Sequence, residues 1–273
     1  MNTNNETIYV LGHSPAEIQR LKAQAEILRP ITERLLLSAG IGPGMRVLDI
    51  GCGTADVAML AAELVGPSGS IVAIDRNSQV LAIARERAQT AGLRQISFET
   101  GSAEVFFDKD LFDLVIGRYV LIYQSDPVDL LRAAARLVKP NGSVAFHEFR
   151  LRQKCHSTPN VPLFELVEKL IRMAFSHALP NCDAGDRLIQ HFSDAGLPPP
   201  KLFSETLLWG GADAPYSWWV GILRSLLPQL HRMGIAVEHL MAIEALENQL
   251  RDAIVAARSQ VSGPAQICAW AKL

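Results

Sequence analysis

Val47-Leu48-Asp49-Ile50-Gly51-Cys52-Gly53-Thr54-Ala55-Asp56 carries an apolar strand straight into a glycine-rich turn, and residues 57–64 continue it at helical spacing. Glycine in such a turn lets the backbone approach a ligand closely. Downstream, Ile71-Val72-Ala73-Ile74-Asp75 closes a second apolar run with a carboxylate, a group able to accept hydrogen bonds from the paired hydroxyls of a ribose. Turn, strand context and spaced acid together describe a nucleoside-binding site.

The same rhythm extends outward. Short β-branched runs at 46–50, 70–75, 95–99, 112–117 and 143–149 alternate with amphipathic segments, the pattern of a parallel sheet with crossover helices. One helix is signposted by Asp126-Pro127 as cap and first position, by Leu130, Leu131, Ala134, Leu137 and Val138 on one face, and by Pro140-Asn141-Gly142 as its stop. Upstream, Ser14-Pro15-Ala16-Glu17 reads as a capping box before Ile18, Leu21, Ala25 and Leu28; Pro30 is expected to kink or restart that helix, which ends at Gly40. Beyond 149 the chain reads as mostly helical to about 195. A sixth strand is expected over 201–208, helices over 215–233 and 237–258, and a final strand over 265–272.

Composition narrows the class. The 273 residues are 49% hydrophobic and 20% charged, with Lys plus Arg 26 against Asp plus Glu 28 and a net charge of -2. Mean hydropathy is +0.15 and the pI is near 6.4. These values describe a folded globular chain, and with no block of like charge neither nucleic acid nor anionic membrane is an expected partner. Cys52, Cys155, Cys182 and Cys268 lie far apart, without zinc-type spacing, so no disulfide framework and no metal site is expected and a reducing cytoplasm fits. The polar start, residues 1–7, and the interruption of the most apolar stretch by Asp213, Pro215 and Arg224 give no expectation of a targeting or spanning segment.

With the acid and alternate glycines Asp49, Gly51 and Gly53, the chain resembles the class I S-adenosylmethionine-dependent methyltransferases. The resemblance runs from about Ile41 to Phe149, through Asp75, Glu99-Thr100-Gly101-Ser102-Ala103-Glu104, Phe112-Asp113-Leu114-Val115 and Leu137-Val138-Lys139-Pro140-Asn141-Gly142. It implies a Rossmann-like α/β fold: a mostly parallel seven-stranded sheet with an antiparallel last strand, an N-terminal helical cap (residues 1–40) and a cofactor-binding domain (41–273). Helical insertions at about 151–182 and 208–261 would cover the substrate. Two positions depart from the family pattern. Ala55 stands for the third glycine, where a small side chain suffices, and Ser102 stands for the usual aspartate.

The resemblance also implies site roles. The turn Gly51, Gly53 and Thr54 would pass the methionine part of S-adenosylmethionine, Asp75 would hold the ribose, Arg76 would lie over the adenine, and Ser102 and Ala103 would border its edge. The backbone carbonyl of Arg118 would accept from the methionine amine. Tyr9-Val10-Leu11-Gly12-His13 with Glu17, Arg20 and Gln24 is similar to a bacterial small-molecule subgroup whose N-terminal helix folds over the donor, so Tyr9, Arg20 and Gln24 are candidate cofactor residues.

For the chemistry, in-line methyl transfer needs alignment and water exclusion more than a strong base. If a base acts, His147 and Glu148 on the fifth strand are best placed, only one of them facing the pocket, with His13 next; Tyr119 and Tyr123 are secondary candidates. Gly117-Arg118-Tyr119-Val120-Leu121 lacks the signatures of nucleic-acid base methyltransferases. The acceptor is therefore expected to be a small organic molecule, such as a secondary metabolite, and a homodimer is compatible with the reading. Two other functions share the fold signal: binding the donor while catalysing a non-methylating reaction such as a pericyclic rearrangement, and a dinucleotide-dependent oxidoreductase. Against the latter, Asp56 occupies the position of the last glycine of a G-x-G-x-x-G fingerprint and would repel a pyrophosphate.

Overall fold

A computed structural model describes residues 15–237 and 242–273. The elements follow in the order α1 (Pro15–Ser38), β1 (Arg46–Ile50), α2 (Asp56–Val65), β2 (Ser70–Asp75), α3 (Ser78–Thr90), β3 (Ile96–Thr100), β4 (Phe112–Arg118), α4 (Pro127–Arg136) and β5 (Val138–Phe149). Then come β6 (Ser157–Thr158), α5 (Pro162–Ala178), α6 (Leu188–Asp194), β7 (Lys201–Glu205), β8 (Leu208–Gly210), α7 (Tyr216–Arg232), α8 (Leu246–Ala256), β9 (Gln260–Ser262) and β10 (Gln266–Lys272).

These elements make two compact units. The sheet unit comprises residues 25–149, 184–204 and 266–273, and the second unit comprises residues up to 24, 150–183 and 205–265. In the sheet unit, seven strands lie in the order β3-β2-β1-β4-β5-β10-β7. β1 pairs in parallel with β2 and β4, β2 with β3, and β4 with β5, while β10 runs antiparallel to β5. Parallel pairing sets the carboxyl ends of β1, β2, β3 and β4 side by side, the edge at which open α/β sheets bind ligands. The second unit has a three-stranded antiparallel sheet, β6-β9-β8, together with helices α5, α7 and α8.

Local chemistry explains the boundaries. Asn77 caps α3 by accepting from the Gln79 and Val80 amides, and Asp126 caps α4 by accepting from Val128 and Asp129. Pro127 fills the first turn of α4, where its missing N–H costs nothing. The strands β1 and β2 are buried along most of their length because both faces are covered by helices, so they read as continuous apolar runs.

Four expectations are corrected. Pro30 lies within an uninterrupted α1; the carbonyl that loses its donor belongs to exposed Glu26, which solvent can serve. The Pro140-Asn141-Gly142 stop falls inside β5, where the register slips: Phe112 faces Val138, but Leu114 faces Ser143, and Asn141 takes a positive φ of 66°. The strand expected over 201–208 divides into β7 and β8, which belong to different sheets. The helix expected from 237 begins, in the described residues, at Leu246.

No described helix is long and apolar enough to cross a membrane. The core of the sheet unit includes fully buried Leu48, Ile74, Phe112, Phe146 and Phe192, with the Phe146 and Phe192 rings edge to face at 6.4 Å. Phe146→Ala is expected to destabilise the chain by about 3–5 kcal/mol, measured by urea unfolding.

Candidate active site

The turn after β1 depends on its glycines for two reasons. Gly51 has φ +64°, and a Cβ there would meet Val120 Cγ1 at 2.6 Å; Gly53 has φ +53°, with nothing within 4 Å of where its Cβ would lie. The first glycine admits Val120 from the segment after β4, and the second leaves an open backbone face. Gly117, the next-to-last residue of β4, is constrained by the same side chain, since its Cβ would lie 2.5 Å from Val120 Cγ2. Ala55 is fully buried and takes φ 70°, ψ 24°. The third position therefore demands a left-handed backbone as well as a small side chain, at a cost of roughly 1–2 kcal/mol for alanine.

Asp75 ties this turn to β2. Its Oδ2 accepts from the Gly53 amide and its Oδ1 from the Asn77 amide, each at 2.9 Å, leaving each oxygen a further lone pair beside the open face of Gly53. The Gly101 amide donates to the Asp75 carbonyl at 2.9 Å. Arg76 pairs with Glu104 at 3.3 Å, half-buried Ser102 starts a turn by accepting from the Val105 and Phe106 amides, and Ala103 is buried. Thus Gly51, Gly53, Thr54, Asp75, Arg76, Ser102, Ala103 and Arg118 gather at one edge of the sheet, with Asp49 behind the turn.

Charge at that edge is paired. Asp56, at the start of α2, meets Arg87 at 2.7 Å and Arg118 at 3.9 Å, and accepts from the Thr54 hydroxyl at 3.1 Å. Arg87 also donates to the Thr54 carbonyl. Arg118 was expected to serve through its backbone; its side chain is folded inward, with Nη1 donating to Thr32 Oγ1 at 3.3 Å. Asp49 is buried, and burial raises its pKa to about 8 despite the charge of Arg118; its Oδ2 has no hydrogen-bond partner. Burial likewise pushes the Cys52 thiol up, so it is not a thiolate nucleophile.

The expected bases do not fit that role. His147 is fully buried, its Nδ1 lies 3.0 Å from Thr32 Oγ1 and its Nε2 3.0 Å from Gln266 Oε1, and burial with the Arg118 charge pushes its pKa down to about 3. Both ring nitrogens are occupied. Glu148 is also fully buried; its Oε1 accepts from the Val120 and Leu121 amides at 2.9 and 2.8 Å, and burial pushes it up to about 8, so it already holds a proton at neutral pH. His13 and Tyr9 lie outside the described residues. In the second unit, Arg20 is also withdrawn: Nε and Nη2 bind both oxygens of buried Glu17 at 2.8 and 2.7 Å, and Nη1 donates to Gln24 at 2.8 Å. A guanidinium neutralised by its own helix is a poor receptor for a methionine carboxylate. The residues that sequence reasoning missed are Thr32, Arg87, Val120 and Gln266, none of which has a local signal, because their partners come from other elements of the chain. Among the described residues no group of three or more His, Cys, Asp or Glu is disposed to hold a metal ion.

A parallel sheet with a glycine turn and a carboxylate at the next strand end defines a nucleoside-cofactor domain. Comparison with known proteins makes this specific. A family model described as a methyltransferase domain matches residues 41–193. The demethylmenaquinone methyltransferase of Bacillus cytotoxicus is 34% identical over 137 residues, 50% of this chain and 55% of that protein. The ubiquinone/menaquinone biosynthesis C-methyltransferase UbiE of Ectopseudomonas mendocina is 34% identical over 140 residues, 49% and 55% of the two chains. The chain therefore spans about half the length of the curated relatives it matches. The YcgJ protein of Bacillus subtilis shares the fold, with a TM-score of 0.57 at 18% identity over 88% of this chain and 96% of that one. The chain belongs to the class I S-adenosylmethionine-dependent methyltransferase family. S-adenosylmethionine is the cofactor of that family, and the site suits it: the Gly53 face is open and Asp75 keeps acceptor capacity.

The two raised acids give a pH test. Asp49 and Glu148 titrate near 8 when folded, against 3.8 and 4.5 ordinarily, so between those limits the folded chain binds more protons than the unfolded one and stability falls as pH rises. His147, neutral when folded and half protonated at 6.5 when unfolded, adds nothing between about pH 7.5 and 8.5. Glu148→Gln keeps an acceptor for the two amides and removes one titrating proton. Its melting temperature is expected to fall less over that interval than the wild type's, measured by circular dichroism.

Proposed function

We propose that this protein transfers a methyl group from S-adenosylmethionine to a ring carbon of a small hydroxylated aromatic, the reduced form of a demethylated quinone. The observation that carries the donor half is the pairing of the open Gly53 face with the Asp75 carboxylate at adjoining strand ends. The named acceptors of the relatives support the other half, and favour a quinone precursor over an unspecified secondary metabolite.

In this reading each Asp75 oxygen accepts from one ribose hydroxyl while keeping its backbone amide, so the same carboxylate shapes the turn and holds the sugar. The turn from Gly51 to Thr54 lies against the methionine part, Arg76 flanks the adenine, Ser102 and Ala103 border its edge, and the Arg118 carbonyl accepts from the amine.

When bound, the cofactor supplies an electrophilic methyl on a sulfonium, open to in-line displacement. A hydroquinone ring is nucleophilic where the oxidised quinone is not. A ring carbon would take that methyl, a C–C bond forming as the C–S bond breaks, and the ring proton would pass to water, so no base at His147 or Glu148 would be needed. The protein's part would be alignment of the ring with the methyl.

The test uses trideuteriomethyl-labelled S-adenosylmethionine and a reduced naphthoquinone, read by mass spectrometry. One CD3 replacing one ring hydrogen, with S-adenosylhomocysteine formed in equal amount, is expected; product formed without S-adenosylhomocysteine contradicts the reading. Asp75→Asn is expected to weaken S-adenosylhomocysteine binding roughly 10- to 100-fold, equivalent to about 1.5–3 kcal/mol, measured by calorimetry.

A further inference from the structure

We infer that His147 is a positioning residue: as the neutral Nε2–H tautomer it closes a ring of hydrogen bonds that begins at Arg118 and returns at Tyr119, and so fixes the exit of β4 against the cofactor site. The inference rests on the cofactor site, not on the identity of the acceptor.

The exit of β4 is strained. Tyr119 is not glycine, yet its φ is +57°. Such a backbone persists only where the surroundings over-determine it, and strain of this kind gathers at functional sites. Here the restraints are numerous. The Tyr119 amide donates to the His147 carbonyl at 2.8 Å, its hydroxyl donates to Gln266 Oε1 at 2.5 Å, and its ring stands edge-on to His147 and Phe149 at 5.6 and 4.9 Å. The next two amides, Val120 and Leu121, are held by Glu148.

Proton accounting sets the tautomer. Gln266 Oε1 already accepts from Tyr119, and as a carbonyl oxygen it can only accept, so the His147 nitrogen 3.0 Å away, Nε2, carries the proton. Nδ1 is then bare and accepts from the Thr32 hydroxyl at 3.0 Å. Thr32 Oγ1 in turn accepts from Arg118 Nη1 at 3.3 Å. The Leu28 carbonyl, 3.2 Å from the same hydroxyl, competes for its one proton, and the bare Nδ1 is the nearer acceptor. The charge of Arg118 and complete burial both oppose an imidazolium.

The resulting path runs from Arg118 to Thr32 on α1, to His147 on β5, to Gln266 on β10, and back to Tyr119, the residue next to Arg118. Arg118 also faces Asp56, which meets the Thr54 hydroxyl of the glycine turn. His147 is therefore linked to the glycine turn through Thr32, Arg118 and Asp56.

Two measurements test this. In protein carrying ¹⁵N-labelled imidazoles, the His147 nitrogens are expected to show the Nε2–H pattern unchanged between about pH 5.5 and 8.5. An Nδ1–H pattern, or titration in that range, overturns the tautomer and with it the ring. In calorimetry, His147→Leu, folded by circular dichroism, is expected to bind S-adenosylhomocysteine roughly tenfold more weakly, as two buried partners lose their bonds. His147→Gln, which can accept from Thr32 and donate to Gln266, is expected to restore binding to near the wild-type value. A lowered melting temperature with unchanged affinity in His147→Leu means a merely structural residue and overturns the inference. If that variant does not fold, the nearly isosteric Thr32→Val takes its place, with the same expected weakening and the same contrary result. Wild-type protein that fails to bind S-adenosylhomocysteine refutes the cofactor reading instead, and the imidazole spectrum still decides the ring.

Discussion

The Asp75 carboxylate accepts from the Gly53 amide with one oxygen and the Asn77 amide with the other, and the ligand edge of the sheet is organised around that pair of bonds. Through them the turn after β1 and the start of α3 share one anchor. Gly51 keeps its positive φ beside Val120, Gly53 leaves its open face, and Ala55 accepts the same left-handed backbone at an energetic cost. A carboxylate is suited to this because it has more acceptor sites than two amides use. What remains is available to a ligand.

Charge is the second organising constraint. At one strand edge Asp56 is answered by two arginines from distant positions, Arg87 and Arg118, while burial raises the pKa of Asp49 to about 8. Arg118 is central because it serves both Asp56 and Thr32, linking the charge pairs of the turn to the buried hydrogen bonds of α1, β5 and β10. The neutral, buried states of His147 and Glu148 follow from the same economy: around β4 the chain uses hydrogen bonds rather than proton exchange to hold its geometry.

Much of the sheet unit is legible in the sequence because its signals are local. The apolar runs 46–50 and 70–75 coincide with β1 and β2, Asp126-Pro127 opens α4, and the Asp75 carboxylate at the end of β2 accepts from the Gly53 amide of the turn after β1. What was not legible depends on contacts distant in the chain. Periodicity cannot say that Pro30 continues a helix whose freed carbonyl faces solvent, or that an alanine holds φ 70°. The residue types at His147 and Glu148 suggest bases, but their partners Thr32, Gln266, Val120 and Leu121 come from other elements, and those partners decide their chemistry. Arg20 and Gln24 share a helix face as expected, yet Glu17 on that face takes the guanidinium.

Whether Asp75 and the glycine turn hold S-adenosylmethionine is decided by a crystal structure of the protein grown with S-adenosylhomocysteine. The ribose hydroxyls are expected within hydrogen-bond distance of both Asp75 oxygens, with the thioether side of the ligand against the open face of Gly53. A ligand bound elsewhere, with Asp75 touching only Gly53 and Asn77, would contradict that expectation.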